Sequence, residues 1–231
     1  MKKCLVLFSG GIDSTTALYW ARGRYDRVTA LSFDYGQRHR VELRLARRLT
    51  RRLGIAHLII KVDLRQIGGS ALTDRRIALP EVRSADGVGP GLPSSYVPFR
   101  NGIFLSLAAA WAEVNAVSDI ICGFNTLDSP DYPDTRGPFV KAMQRAVRLG
   151  TGAADRGLRL RLLAPFIHLK KSAIIKLGLA LGADYSYSIS CYGGGEAPCG
   201  KCSACQLRRR AWREAGAHDH LLNRLTKEGR R

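Results

Sequence analysis

Residues 8 to 16 read FSGGIDSTT, directly after the apolar run KKCLVLF and directly before the helix-like stretch TALYWA. A buried strand that turns through Gly10-Gly11 straight into a helix brings several backbone N–H groups to one concave point. The positive end of the helix dipole reinforces them, so the turn is an anion site. The glycines permit positive φ and a close backbone approach that a side chain would oppose. The loop lacks the Gly-Lys-[Ser/Thr] ending of a Walker A loop and the Gly-x-Gly-x-x-Gly dinucleotide fingerprint. A plain strand-to-helix turn with Ser14 as N-cap is the alternative that the turn alone leaves open.

The stretch SGGxDS resembles the pyrophosphate loop of the ATP pyrophosphatase superfamily, in which ATP is split between its α and β phosphates. The rest of the chain suits that setting. Apolar, β-branched runs at 3–8, 27–33, 57–62, 118–124 and 159–164 alternate with helical patterns at 14–22, 38–53, 101–116, 138–149 and 170–181. This rhythm predicts a Rossmann-like, doubly wound α/β fold with a parallel sheet of about five strands. Gly54, Gly150 and Gly182 are expected to close three of the helices. Residues 66–98 break the rhythm with Gly, Pro and Ser, and are expected to form a lid loop over the phosphate loop. The expected division is 1–185 for the ATP-binding catalytic domain and 186–231 for a metal-binding segment with a basic C-terminal helix and tail.

Six cysteines stand at 4, 122, 191, 199, 202 and 205. Cys4 and Cys122 fall in strands and read as core residues. Cys191, Cys199, Cys202 and Cys205 form C-x7-C-x2-C-x2-C among glycines. In a reducing compartment this spacing suits four thiolates on one tetrahedral, structural zinc ion. An iron–sulfur cluster is the alternative, although the QLRRR that follows departs from the ferredoxin run.

The formal charge of +18 invites a nucleic-acid reading, but 28 of the 37 basic residues are arginine and they are spread along the chain. Two clusters stand out, at 38–53 and from 208 to 231. In the first, Val41, Leu45, Leu49 and Leu53 make an apolar stripe, so the arginines read as a solvated face before a polyanion site. No apolar run reaches the roughly 18 residues of a membrane helix, and no signal-peptide pattern is present, so a cytoplasmic protein without nucleic-acid or membrane partners is expected.

FSGGIDSTT, LSFDYGQRHRVEL, GGSALT, YVPFRNGIFLSLAAAWAE, YPD, PFIHLKKSAIIKLG and SCY…CGKCSACQLR together resemble the 7-cyano-7-deazaguanine synthase family of queuosine biosynthesis, over Met1 to about Arg210. Three segments depart from the family pattern: PDYPDT (130–135) where SGYPDC is usual, KSAI (171–174) for KAEI, and SISCY. The departures bear on contacts near Thr135 and Ser188.

The resemblance implies a ligase that converts 7-carboxy-7-deazaguanine to the nitrile with ATP, Mg²⁺ and ammonia, passing through an adenylated carboxylate and then an amide. It implies a homodimer. A tRNA thiolase of the same superfamily and an adenylating protein-modification relative in a defence system remain as rivals. The residues implied for ATP are Phe8, Ser9, Gly10, Gly11, Ile12, Asp13, Ser14, Thr15, Thr16, Ala17, Leu18, Phe33 and Asp34, with Tyr35 bordering the adenosine. Asp13 is the expected Mg²⁺ contact. Lys171 is expected to meet phosphate, or else to be a solvated helix-start lysine. Arg100 is expected to meet a phosphate or the carboxylate, or to form a helix N-terminal salt bridge. Asn101, Asp128, Tyr132 and Asp134 are candidate substrate contacts, with turn formation as the alternative for the carboxylates. His39 and His168 read as structural histidines.

Overall fold

The computed structural model describes residues 1–83, 85, 91–126 and 132–229; Asp128 lies outside the described residues. Five strands, β1(Lys3–Leu7), β2(Arg27–Asp34), β3(Ala56–Lys61), β4(Asp119–Ile121) and β5(Arg161–Leu163), form one sheet in the order β3-β2-β1-β4-β5. All four pairings are parallel. The chain runs outward from β1 in both directions, so the switch point lies between β1 and β4, where an open α/β sheet leaves a crevice beyond the strand ends.

Alternation along β1 decides which helices cover which face. Leu5 packs with Leu105, Ala108 and Val147. These belong to α3(Arg100–Val114) and α4(Gly137–Gly150). Cys4, Val6 and Phe8 pack with Ala17, Leu18, Ala46, Leu49 and Ile174 on the other face. These come from α1(Ile12–Arg22), α2(Val41–Arg52) and α5(Lys171–Ala180). Both faces are buried, which is why the strands read as continuous apolar runs. Burial pushes the Cys4 and Cys122 thiols up to about 12, as befits inert core residues.

The strands and first five helices fall where the periodicity puts them, with corrections at the ends. Helix α1 begins at Ile12 with Gly11 as N-cap, and Ser14 lies inside the first turn, donating back to the Gly11 carbonyl at 3.2 Å. Gly54 and Gly182 follow α2 and α5 with φ of +64° and +73°. Gly150, by contrast, is the last residue of α4, and Thr151 Oγ1 donates to the Val147 carbonyl at 2.8 Å in its place. The arginine-rich stretch is the solvated face expected: Val41, Leu45 and Leu49 are buried and Arg44, Arg47, Arg48 and Arg51 are exposed.

The C-terminal segment carries α6(Ser203–Ala215) and α7(His220–Lys227) and packs into the main body. Trp212 and Ala211 share a cluster with Ile12, Tyr19 and Tyr185, and Cys191, Cys202 and Cys205 share one with Val41 and Leu45. Two of the basic residues of this region are structural. Arg208 is buried and donates to both oxygens of Asp219 at 2.6 and 2.7 Å, and Arg224 donates to the Ser186 carbonyl at 2.8 Å. Within 66–98, Ser70, Ala71, Leu72 and Thr73 are buried. The Arg38 N–H donates to the Leu72 carbonyl at 3.0 Å, and that of Val82 to the Lys201 carbonyl at 2.9 Å. The described parts of the segment are therefore seated at the α2 entrance and on the cysteine loop. No described helix is long and apolar enough to cross a membrane.

Candidate active site and cysteine cluster

A cavity of about 310 Å³ opens beyond the carboxyl ends of the strands, lined from the phosphate loop, β2, the start of α2, α3, the exit of β4, and Lys171. The loop is held from three directions. Gly10 takes φ +79° while Gly11 is extended at φ −78°, so only the first needs the left-handed region. Ser9 Oγ accepts the Gly11 N–H at 3.3 Å and lies 3.0 Å from Ser14 Oγ. The Ile189 N–H donates to the Gly10 carbonyl at 3.0 Å, which ties the run before the cysteines to the loop. At the switch point, a Cβ on Gly123 would lie 2.8 Å from the Asp13 carbonyl carbon and 2.9 Å from the Ser14 nitrogen. Only glycine lets the β4 exit approach so closely.

Asp13 Oδ2 lies 3.2 Å from Lys171 Nζ, while Asp13 Oδ1 is buried without a partner among the described residues. The sequence expectation put both residues at the phosphates; the fold joins them across 158 positions. An orphaned carboxylate oxygen beside helix N–H groups suits a cation held between it and an anion.

Phe33 stacks on Phe104 with ring centroids 4.0 Å apart, and both line the cavity. Arg100 Nη1 donates to the Tyr35 hydroxyl at 3.3 Å and its guanidinium lies over the Tyr35 and Phe104 rings. Burial pushes the Tyr35 phenol up to about 12, so it stays neutral. Asn101 lines the cavity, and its N–H donates to Asp134 Oδ2 at 2.9 Å. Asp134 is thus first a cap for α3, and its Oδ1 is buried without a partner among the described residues. Tyr132 OH lies 3.0 Å from Ser95 Oγ, both on the cavity wall. Of the two positions singled out among the departures, Thr135 faces the cavity, whereas Ser188 is fully buried against Arg208 Nη1 at 3.4 Å.

Several residues implied for ATP lie elsewhere. Ala17 and Leu18 are wholly buried in the core. Thr16 Oγ1 lies 2.6 Å from the Tyr185 hydroxyl, and Asp34 is engaged by Arg40 outside the cavity lining. The sequence reading passed over Asn125 and gave His39 only a structural role. Asn125 is buried on the cavity wall, and its Oδ1 has no partner among the described residues. His39 is also buried on the wall, with Nε2 3.4 Å from Glu42 Oε2 and Nδ1 without a partner among the described residues. His39 is not the fully satisfied structural histidine expected. The spacing His39-x-x-Glu42 at a helix start was the available signal.

The Sγ atoms of Cys191, Cys199, Cys202 and Cys205 all lie within 4.8 Å of one another. Tetrahedral zinc–thiolate bonds of ~2.3 Å would set the sulfurs about 3.8 Å apart, so the cluster fits a closed four-sulfur metal site. Backbone N–H groups of Gly193 and Cys199 donate to Cys191 Sγ, both at 3.3 Å, and that of Cys202 donates to Cys199 Sγ at 3.4 Å. Such donors stabilise thiolates. The crowded thiols split in acidity: hydrogen bonds from Cys202 and Cys205 hold Cys191 low, and theirs rise in turn.

A family model for "Queuosine biosynthesis protein QueC" matches residues 3–216. A 7-cyano-7-deazaguanine synthase of Trichormus variabilis is 46% identical over 220 residues, covering 95% of this chain and 97% of the relative. The protein of the same name from Thiobacillus denitrificans is 48% identical over 224 residues, covering 95% and 97%. Among solved structures, NMN synthetase from Francisella tularensis aligns with TM-score 0.52 at 16% identity, over 97% of this chain and 82% of that one, a likeness of fold alone. The loop, the cavity beyond the switch point and the four-cysteine cluster thus sit in a chain that is related along nearly its whole length to one family, and it belongs to the queuosine biosynthesis protein QueC family.

Proposed function

We propose that this chain converts 7-carboxy-7-deazaguanine, with ATP and ammonia, to 7-cyano-7-deazaguanine. The observation that carries the reading is the phosphate loop at the switch point, with Lys171 and the half-unpartnered Asp13 beside it, in a chain of this family.

A carboxylate offers no good leaving group, so its oxygen must first be activated, with pyrophosphate departing. Ser9, Gly10, Gly11, Ser14 and Thr15 supply the cradle for that pyrophosphate, and preorganised donors there stabilise the charge that develops. Lys171 adds a positive charge, and Asp13 would hold Mg²⁺, which would supply charge neutralisation at the departing pyrophosphate. The Phe33–Phe104 stack borders the adenine. Arg100 neutralises the carboxylate or an α-phosphate oxygen. Asn101, Tyr132 and Asn125 face the heterocycle, whose N–H groups match Asn125 Oδ1, which has no partner among the described residues. Asp134 acts through α3, as its cap.

Ammonia displaces AMP to give the amide, and a second ATP activates the amide oxygen before loss of the last N–H protons yields the nitrile. The four cysteines leave no open position on a tetrahedral ion, so zinc there is structural. The reading includes a cytoplasmic location, since ATP, Mg²⁺ and reduced thiols share that compartment, and a homodimer as the family resemblance implies.

Incubation of metal-loaded protein with ATP, Mg²⁺, ammonia and 7-carboxy-7-deazaguanine, followed by mass spectrometry and nucleotide chromatography, tests it. Nitrile with AMP and pyrophosphate is expected; ADP with phosphate, or no nitrile, would overturn the reading.

A further inference from the structure

We propose that the hydroxyls of Ser95, Tyr132 and Tyr192, gathered beside Arg100, hold the reacting group of the heterocycle, first as a carboxylate and then as an amide. The inference rests on the activity proposed above and names the residues that let one cavity serve both of its halves. Between those halves the group changes its hydrogen-bonding character. A carboxylate is charged and only accepts. The amide that replaces it is neutral, with one carbonyl acceptor and two N–H donors. Guanidinium and ammonium groups only donate, so Arg100 alone would grip the first form and leave the amide N–H groups unpaired. An acidic side chain would repel the first form. A hydroxyl donates to the carboxylate and, after rotation, accepts from the amide.

Three separate stretches of chain bring hydroxyls to this point, and each is fixed where it arrives. Ser95 belongs to the 66–98 segment, in which the Ala71 N–H donates to the Ser94 carbonyl at 2.7 Å. Tyr132 precedes the turn into α4, and its carbonyl accepts from the Thr135 N–H at 3.2 Å and from Thr135 Oγ1 at 2.9 Å. Tyr192 directly follows Cys191. The N–H groups on Cys191 Sγ hold its loop from one side, and the Ile189 N–H on the Gly10 carbonyl holds it against the phosphate loop. The metal-binding segment therefore supplies part of the cavity wall.

All three residues line the cavity together with Arg100. Ser95 Oγ lies 3.0 Å from the Tyr132 hydroxyl. Burial, and then the Tyr132 hydroxyl, hold the Tyr192 phenol well above its ordinary value, while the charge of Arg100 and the Ser95 hydroxyl act in the opposite sense. The three hydroxyls and the guanidinium are thus one group. Arg100 makes no ion pair among the described residues; Asp134 acts on it through its charge alone, and that carboxylate accepts the Asn101 N–H. A cation in the wall with hydroxyls around it, and no acidic partner, suits a guest that arrives charged and then loses its charge.

Calorimetric titration of the metal-loaded protein tests this without turnover, in the presence of Mg²⁺ and α,β-methylene-ATP, which cannot be split between its α and β phosphates. Tyr192→Phe and Tyr132→Phe each delete one hydroxyl and keep the ring. Affinity for 7-carboxy-7-deazaguanine should fall about 10–100-fold, as for a bond to a charged group, and affinity for the 7-amide about 3–10-fold, as for a bond between neutral groups. Affinity for 7-deazaguanine, which lacks the reacting group, and for the nucleotide analogue should stay within about twofold. Unchanged affinity for the amide in both variants would overturn the assignment. So would an equal loss for 7-deazaguanine, because the hydroxyls would then read the ring, or a matching loss for the nucleotide, as a merely structural role predicts. Should Tyr192→Phe lose its metal, Tyr132→Phe, outside the cysteine loop, decides alone. Failure of the wild-type protein to bind 7-carboxy-7-deazaguanine would instead remove the proposed activity itself, and the assignment with it.

Discussion

Gly123→Ala tests whether the close approach of the β4 exit to the phosphate loop sets the geometry of the site. An alanine Cβ there would lie 2.8 Å from the Asp13 carbonyl carbon, 2.9 Å from its oxygen and 2.9 Å from the Ser14 nitrogen. Non-bonded carbon atoms settle at about 3.5–4.0 Å, so the two backbones must part by roughly 0.7–1 Å. Neither side yields easily, because the colliding atoms are backbone at the start of α1. Overpacking of this kind costs about 1–3 kcal/mol, and for a chain of this length each kcal/mol lowers Tm by about 2–4 °C. The kinetic cost is larger, since a displacement of about 1 Å in positioning groups costs on the order of 10²-fold.

Gly11→Ala is the control. Its Cβ would meet nothing nearer than Ser9 Oγ at 3.5 Å, and its φ of −78° suits any residue. Tm should hold, while KM for ATP rises because a methyl now stands where pyrophosphate approaches. Calorimetry on the metal-loaded proteins and AMP release at saturating ATP read both quantities. Wild-type Tm and rate in Gly123→Ala, or a loss of stability in Gly11→Ala alone, would refute the reasoning.

Other outcomes follow from the same structure. Asp13→Asn keeps shape and hydrogen bonding but removes the charge, and should lower the rate of AMP formation by about 10²-fold or more across a Mg²⁺ titration while Tm is held. Cys202→Ala should lose bound metal and thermal stability together, as elemental analysis and calorimetry would show; retention of both would dismiss the site. Burial pushes the His57 imidazole down from its ordinary 6.5 to about 4. The fold therefore favours neutral His57, stability is present above pH 6.5 and is lost as pH falls toward 4, and His57→Gln should flatten that dependence in denaturation curves. Arg208→Met leaves the Asp219 carboxylate with only the Leu221 N–H in place of its two bonds from Arg208 and should cost about 3–5 kcal/mol in chemical denaturation.

Local patterning was enough to reveal the parallel α/β class, the phosphate loop and the four cysteines. Strands buried on both faces must be apolar throughout, a helix must show its 3.6-residue period, and metal ligands cluster at short spacings, so each signal is complete within about twenty residues. The loop's two glycines looked alike in sequence; only the folded backbone separates Gly10, left-handed, from extended Gly11. The expected boundary at 185 marks a change of composition, but the residues beyond it close the core around α1 and hold the loop through Ile189.

What converges on the cavity could not be read locally, because it comes from ends of strands and helices far apart in sequence. The β3-β2-β1-β4-β5 order sets Asn125 across from the phosphate loop. Docking of α5 on α1 brings Lys171 to Asp13. Packing of the residues before and after Cys191 over the start of α2 seals His39, leaving Nε2 3.4 Å from Glu42 Oε2 and Nδ1 without a partner among the described residues. A histidine in a sequence has no such asymmetry; burial and a single carboxylate neighbour create it.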